Sequence, residues 1–241
     1  MTALLEVAGV SRHFRGLAAI ADVSFRVDAG SICSLIGPNG AGKSTLFNLI
    51  SGFLPLHGGS ISFGGARIDG LSTVRIAERG IARAFQIARP FPGLTVAENV
   101  RVGALFGRSG ARDVAKVVTE ALSLTGLAEA AAQPAASLTV GYLRRLELAR
   151  AIAARPLLLL ADEPCAGLNH TETEEIVVLL REIRARGVTV LLVEHDMAAV
   201  MRISDRVFVL DAGSKIAEGT PAEVAADARV IAAYLGTPEA G

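Results

Sequence analysis

The sequence predicts an α/β fold: a mainly parallel sheet covered by helices, with a small antiparallel β subdomain and an inserted helical subdomain. Three observations predict it. Short apolar runs alternate with amphipathic stretches through most of the 241 residues, as expected for parallel strands joined by helical crossovers. The first two runs and the Gly58-Gly59 turn region have connections too short for such crossovers, so they read as antiparallel. Between Pro90 and Arg155 the strand signal vanishes and helical periodicity replaces it.

Taken in order, the expected strands cover residues 4–7, 23–27, 31–36, 61–63, 81–85, 157–162, 188–193 and 206–210. A helix is expected from near Lys43. Gly and Pro punctuate the helical stretch at residues 107–110 and at Gln133-Pro134. The helix after Asn169 is marked by the capping-box spacing of Thr171 and Glu174, by Ile176, Leu180 and Ile183 along one face, and by Gly187 as its stop. We therefore expect one domain, with residues 1–89 and 156–241 forming the core and its β subdomain, and residues 90–155 forming the helical insertion.

Charge and hydropathy exclude several classes. Lys+Arg and Asp+Glu are equal at 24 each, so no net field draws the chain to nucleic acid or anionic lipid. Mean hydropathy is high, +0.45, yet the apolar runs stop far short of the roughly 18 residues that a membrane span needs. The residues 1–7 lack the basic, apolar and small-residue pattern of a signal peptide, which makes the cytoplasm the default compartment. Cys33 and Cys165 belong to no CxxC pair and read as small apolar residues.

The chemistry begins at the segment Gly37, Pro38, Asn39, Gly40, Ala41, Gly42, Lys43, Ser44, which fits GxxxxGK[ST] and is followed by Thr45. It lies where the mechanism requires, after an apolar strand and at the start of a helix. Glycines let successive N–H groups turn toward phosphate oxygens, and the helix N-terminus adds partial positive charge. Lys43 is expected to reach the β- and γ-phosphates of ATP and the Ser44 hydroxyl to ligate Mg²⁺. The expected core is thus that of a P-loop NTPase.

A second signal is the apolar run 158–161 ending in Asp162 and Glu163. A buried strand ending there delivers both carboxylates to the carboxyl edge of a parallel sheet. Asp162 can hold Mg²⁺ through its water shell, and Glu163 can orient or deprotonate the attacking water. His195, after the run 188–193, can bond a γ-phosphate oxygen or that water, and the Gln86 amide can contact Mg²⁺ or the water. Alone, His195 reads as a surface or capping residue and Gln86 as a polar strand end. Only the set is specific.

The set in this order resembles the ATP-binding subunits of ABC transporters over roughly residues 4–236. The resemblance implies that Phe14 stacks on adenine and that Ala166-Gly167-Leu168-Asn169 is the loop through which two cassettes communicate. It places the family's signature on Leu138-Thr139-Val140-Gly141-Tyr142, where Thr139 keeps a hydroxyl and Gly141 keeps close backbone approach. Val140 and Tyr142 depart from the pattern. The chain is most similar to ATPase subunits of branched-chain amino acid importers, through Arg83-Ala84-Phe85-Gln86, Leu94-Thr95-Val96-Ala97-Glu98-Asn99, the residues 191–197, Ile203-Ser204-Asp205-Arg206 and the end Ala233-Tyr234-Leu235-Gly236. That resemblance implies two integral membrane proteins contacted through residues 90–101, a second cassette, and an extracytoplasmic solute-binding protein served indirectly. It places the chain on the inner face of the plasma membrane. The alternatives are an ABC-type ATPase for urea, amides or lipopolysaccharide, or a nucleic-acid or ribosome-associated ATPase. Asp162 follows Lys43 too closely for the long coiled coils of the chromosome and repair ATPases, and the single cassette does not suit the translation factors.

Overall fold

The computed structural model describes residues 3–86, 89–108 and 113–235; Gly110 and Gly236, used above, lie outside them. The chain begins with β1 (Ala3–Phe14), β2 (Leu17–Asp28), β3 (Ile32–Ile36), α1 (Lys43–Ile50), β4 (Gly58–Phe63), β5 (Ala66–Arg67), α2 (Thr73–Glu78) and β6 (Ile81–Ala84). Next come α3 (Val96–Phe106), α4 (Val114–Leu124), a 3₁₀ turn (Ala135–Ser137), α5 (Val140–Ala153), β7 (Leu158–Asp162), α6 (His170–Ala185) and β8 (Thr189–Val193). The last elements are α7 (Met197–Ile203), β9 (Arg206–Asp211), β10 (Ser214–Gly219), α8 (Pro221–Ala225) and α9 (Ala228–Leu235). Two compact units divide the chain, Met1–Thr73 with Leu191–Gly241 and Val74–Val190.

In the first unit β1, β2, β4 and β5 form the antiparallel sheet that the short connections predict, in the order β2-β1-β4-β5. β3 pairs in parallel with β9, and β10 lies antiparallel on the far side of β9. Every residue of β3 is buried, as for a strand covered on both faces. Ile36 at its end packs in one cluster with Val200 of α7, Val207 and Val209 of β9, Val224 of α8 and Val230 of α9. The root of the phosphate loop is therefore packed against apolar side chains of four other elements.

In the second unit β6 and β7 pair in parallel, from Ile81↔Leu158 to Ala84↔Ala161. The helices α3, α4 and α5 close on a separate core that includes Val96, Val100, Val117, Leu122, Leu146 and Ala149. The expected helical stretch 90–155 lies wholly in this unit, together with β6, β7 and α6.

Several expectations need correction. The first strand runs to Phe14 rather than ending at Val7, because register shifts between Val7 and Val10 and again around Arg12 break the apolar alternation without breaking the pairing. The second strand starts at Leu17 rather than Val23, and the expected run 61–63 begins at Gly58. β5 and β10 were not expected; Ser214–Gly219 is polar in sequence and pairs on an edge. The cap of α6 is Asn169 with Glu172, not Thr171 with Glu174. Asn169 is extended (φ −77°, ψ 174°), accepts from the Glu172 N–H at 3.0 Å and donates its own N–H to the Glu172 carboxylate at 3.0 Å. A helix starting two residues earlier satisfies both orphan donors.

Candidate functional site

In the first unit β3 delivers the chain into the phosphate loop and α1 begins at Lys43, with Gly42 as a left-handed N-cap (φ 104°, ψ 1°). No side chain caps this helix, so its first N–H groups remain available to an anion. The backbone closes on itself through Ala41 N–H to Pro38 O at 3.2 Å and Leu46 N–H to Gly42 O at 2.9 Å. Glycine is required at Gly37, where a Cβ would lie 2.0 Å from the Leu210 carbonyl oxygen, and at Gly42, where it would lie 2.6 Å from that of Ala19. The Lys43 ammonium, nearly buried, donates to Gly37 O at 2.6 Å and Pro38 O at 2.9 Å. From α9, partial burial pushes the Tyr234 phenol up.

The first unit also holds two further predicted residues. Phe14 is the last residue of β1, 40% exposed, with the Arg12 guanidinium 4.8 Å from its ring centroid. His195 follows β8 and is exposed. Its backbone N–H and that of Asp196 donate to the buried Glu194 carboxylate at 2.9 and 3.3 Å, and Asp196 caps α7 through the Ala199 N–H at 3.1 Å. Glu194 thus shapes the turn that presents His195, a role sequence reasoning did not assign.

In the second unit Asp162 ends the fully buried β7. One oxygen, Oδ2, receives Arg83 at 2.6 Å; the other, Oδ1, is buried without a hydrogen-bond partner among the described residues. The next residue, Glu163, is left-handed at φ 49°, a conformation that costs a non-glycine residue about 1 kcal/mol or more. Its carboxylate accepts from the Gln86 side-chain amide. Arg144 of α5 joins the same cluster, donating to the Gln86 carbonyl and, at 2.9 Å, to the Ala166 carbonyl. The sequence assigns no role to Arg83, which appears above only within a resembling segment, or to Arg144, because a basic residue on a helix or strand reads as surface until its partners are known.

Thr139 is the N-cap of α5, and its side chain makes no capping bond. Gly141 is buried against Glu172, whose carboxylate would lie 2.7 Å from an added Cβ. Val140 and Tyr142 stand out, 53% and 45% exposed. The segment 90–101 is ordered by the fully buried Asn99, which accepts from the Phe91 N–H at 2.8 Å and donates to Thr95 O at 2.9 Å. Phe91 remains 44% exposed, under Arg150 at 5.2 Å.

Comparison with known proteins gives a family for this arrangement. The family model described as ABC transporter matches residues 20–166, and that described as branched-chain amino acid ATP-binding cassette transporter matches residues 214–240. The chain is 40% identical, over 97% of its length and 98% of the relative's, to the high-affinity branched-chain amino acid transport ATP-binding protein BraF of Pseudomonas aeruginosa. Among solved structures it is similar to the ADP conformation of MJ1267, an ATP-binding cassette of an ABC transporter, at 28% identity and a TM-score of 0.89, covering 98% of this chain and 100% of that one. It is also similar to the ATP-binding cassette MJ0796, a dimer in a post-hydrolysis state bound to ADP and phosphate, at 26% identity and a TM-score of 0.81, covering 90% and 98%. The chain belongs to the ABC transporter family and is one of its ATP-hydrolysing cassettes.

Proposed function

We propose that this chain is the ATPase subunit of an importer for branched-chain or related amino acids, working with two integral membrane proteins and a second cassette. The match of its C-terminal residues 214–240 to the branched-chain cassette model carries the substrate class; the similarity to BraF across nearly the whole chain supports it. None of the helices among the described residues is long and apolar enough to cross a membrane. The chain then sits on the inner face of the plasma membrane through its membrane partners, which meet it at residues 90–101, while a solute-binding protein is served from outside. Nucleic acid is not a partner on this reading.

The site residues take the following roles. The loop Gly37 to Thr45 cradles the triphosphate with its N–H groups, and Lys43 leaves its resting carbonyls for the β- and γ-phosphates. Phe14 stacks on the adenine. Glu163 orients and deprotonates the attacking water, and Gln86 and His195 hold that water and the γ-phosphate. The partner cassette receives Thr139 and Gly141 of this chain's signature at its own nucleotide. The chemistry of the donors in each unit suits Mg²⁺: in the second unit the Asp162 Oδ1, without a hydrogen-bond partner among the described residues, and the Gln86 amide oxygen, and in the first unit the Ser44 hydroxyl, are hard oxygen donors. When bound, Mg²⁺ neutralises charge on the β- and γ-phosphates.

The test is transport. Reconstituted with its membrane partners and second cassette in vesicles, the chain should drive ATP-dependent uptake of leucine, isoleucine or valine delivered by the binding protein. Uptake of urea or a short amide with no uptake of these amino acids would overturn the substrate class.

A further inference from the structure

We propose that Arg12 is a positioning residue for the nucleotide base: its guanidinium, gripped by the segment that leaves the phosphate-loop helix, backs one face of Phe14 and fixes the other face for stacking. This rests on the reading that Phe14 stacks on adenine.

The geometry starts at a hairpin. β1 ends at Phe14, paired with Leu17 across the two-residue turn Arg15-Gly16, both with positive φ. The returning strand β2 then passes the start of α1 so closely that a Cβ on Gly42 would meet Ala19 O at 2.6 Å and Ile20 Cδ1 at 2.7 Å. Phe14 therefore stands at the tip of a hairpin whose next few residues touch the phosphate loop. A phenyl ring in that place, 40% exposed, needs something to hold its plane. Otherwise the cost of ordering it falls on ligand binding.

Arg12 supplies the hold. Its guanidinium lies 4.8 Å from the Phe14 centroid, within cation–π range. It donates to Pro55 O at 3.1 Å, and its NH1 lies 3.0 Å from His57 Nε2. Pro55 and His57 both belong to the segment that follows α1. Because His57 Nδ1 accepts the His13 N–H, its Nε2 carries the proton, so Pro55 O is the acceptor that holds Arg12 and the imidazole packs beside it. The Phe53 and Leu54 N–H groups fold that segment back onto Asn48 O near the end of α1, at 2.8 and 3.1 Å. His57 is fixed in turn: its N–H donates to Ser11 O at 2.9 Å, its Nδ1 receives the His13 N–H at 3.1 Å, and its ring stacks on His13 with centroids 5.8 Å apart. A continuous line of contacts thus runs from the helix that carries Lys43, through Asn48, Pro55 and His57, to Arg12 and Phe14. Arg12 touches the ring, so it acts on base affinity through Phe14.

Equilibrium titration of the purified chain with Mg·ATP and with inorganic triphosphate, which has no base, tests this on wild type, Phe14→Ala, Arg12→Ala, Arg12→Lys and the double alanine variant. Phe14→Ala should weaken ATP binding about tenfold and Arg12→Ala about three- to fivefold, the scale of one exposed cation–π contact. The double variant should match Phe14→Ala, Arg12→Lys should fall between Arg12→Ala and wild type, and triphosphate binding should be unchanged in all. Turnover at saturating ATP in the assembled transporter should be unchanged in Arg12→Ala, with only KM raised. If Phe14→Ala binds ATP as tightly as wild type, the stacking reading itself fails. If Phe14→Ala weakens binding but neither Arg12 variant does, stacking stands and the role of Arg12 is overturned. Equal weakening of triphosphate and ATP by Arg12→Ala would also overturn it, because the damage would then lie in the loop or the fold.

Discussion

The side-chain amide of Gln86 donates a hydrogen bond to the carboxylate of Glu163, and that glutamate is held left-handed at the end of β7. The contact fixes the direction of the carboxylate while occupying one of the lone pairs with which it would accept a proton. On the proposed mechanism, Gln86→Ala should lower turnover about tenfold or more by loosening the carboxylate's aim, with little change in KM for ATP. Steady-state ATPase assays on the assembled transporter check this. Unchanged turnover would separate the contact from catalysis.

Arg144 reaches from α5 to two carbonyls, those of Gln86 and Ala166, on either side of the Asp162-Glu163 pair in sequence. Removing a charged donor from such carbonyls typically costs a few kcal/mol when no water replaces it. Arg144→Ala should therefore reduce turnover while ATP affinity measured on the isolated chain stays near wild type. Arg144→Lys, which retains charge but not the planar fork, should recover only part of the rate. A shared loss of affinity and rate would mark Arg144 as merely structural.

Tyr142 and Val140 stand exposed at the start of α5, where the family pattern has an amide residue and a glycine. We predict unequal ATP sites if the partner cassette has an intact signature. Hydrolysis should then depend more on Glu163 of this chain than on the matching glutamate of the partner. Replacing each glutamate by glutamine, one subunit at a time, measures the dependence. Equal losses would contradict the asymmetry, and Tyr142→Gln should reduce any difference that is found.

Burial pushes the Cys33 thiol up to about 11, in a strand whose five residues are all buried. At pH 8 its thiolate fraction is on the order of 10⁻³. Iodoacetamide at that pH should leave Cys33 unmodified in the native chain and label it in denaturant, as read by peptide mass spectrometry. Native labelling at the unfolded rate would show that β3 opens beneath the phosphate loop.

What could be read in advance followed from local rules with strong signals. Buried parallel strands are continuous apolar runs, so β3, β6, β7, β8 and β9 fall within a residue of expectation at each end. The antiparallel part was harder. β1 continues through Ser11-Arg12-His13 by register shifts that no alternation reveals, and β10 is an edge strand with polar residues. At the site, the phosphate loop was legible because its spacing encodes one backbone path. The residues that arrange it were not. Arg83 is defined by its pairing with Asp162, Glu194 by the turn it stabilises, and Arg12 by a loop forty residues away in sequence. Arg83 and Arg12 depend on tertiary contacts with no local signature, whereas Glu194 acts within its own turn, on the N–H groups of the next two residues.

The most direct measurement is Mg·ATP titration of Lys43→Ala beside wild type, with circular dichroism to confirm that both are folded. In the structure the Lys43 ammonium rests on the Gly37 and Pro38 carbonyls, and on binding ATP it should exchange them for the β- and γ-phosphates. Wild type should bind saturably, and the folded Lys43→Ala should show no saturable binding over the same range. Near wild-type affinity in the folded variant would contradict the assignment of ATP to the phosphate loop.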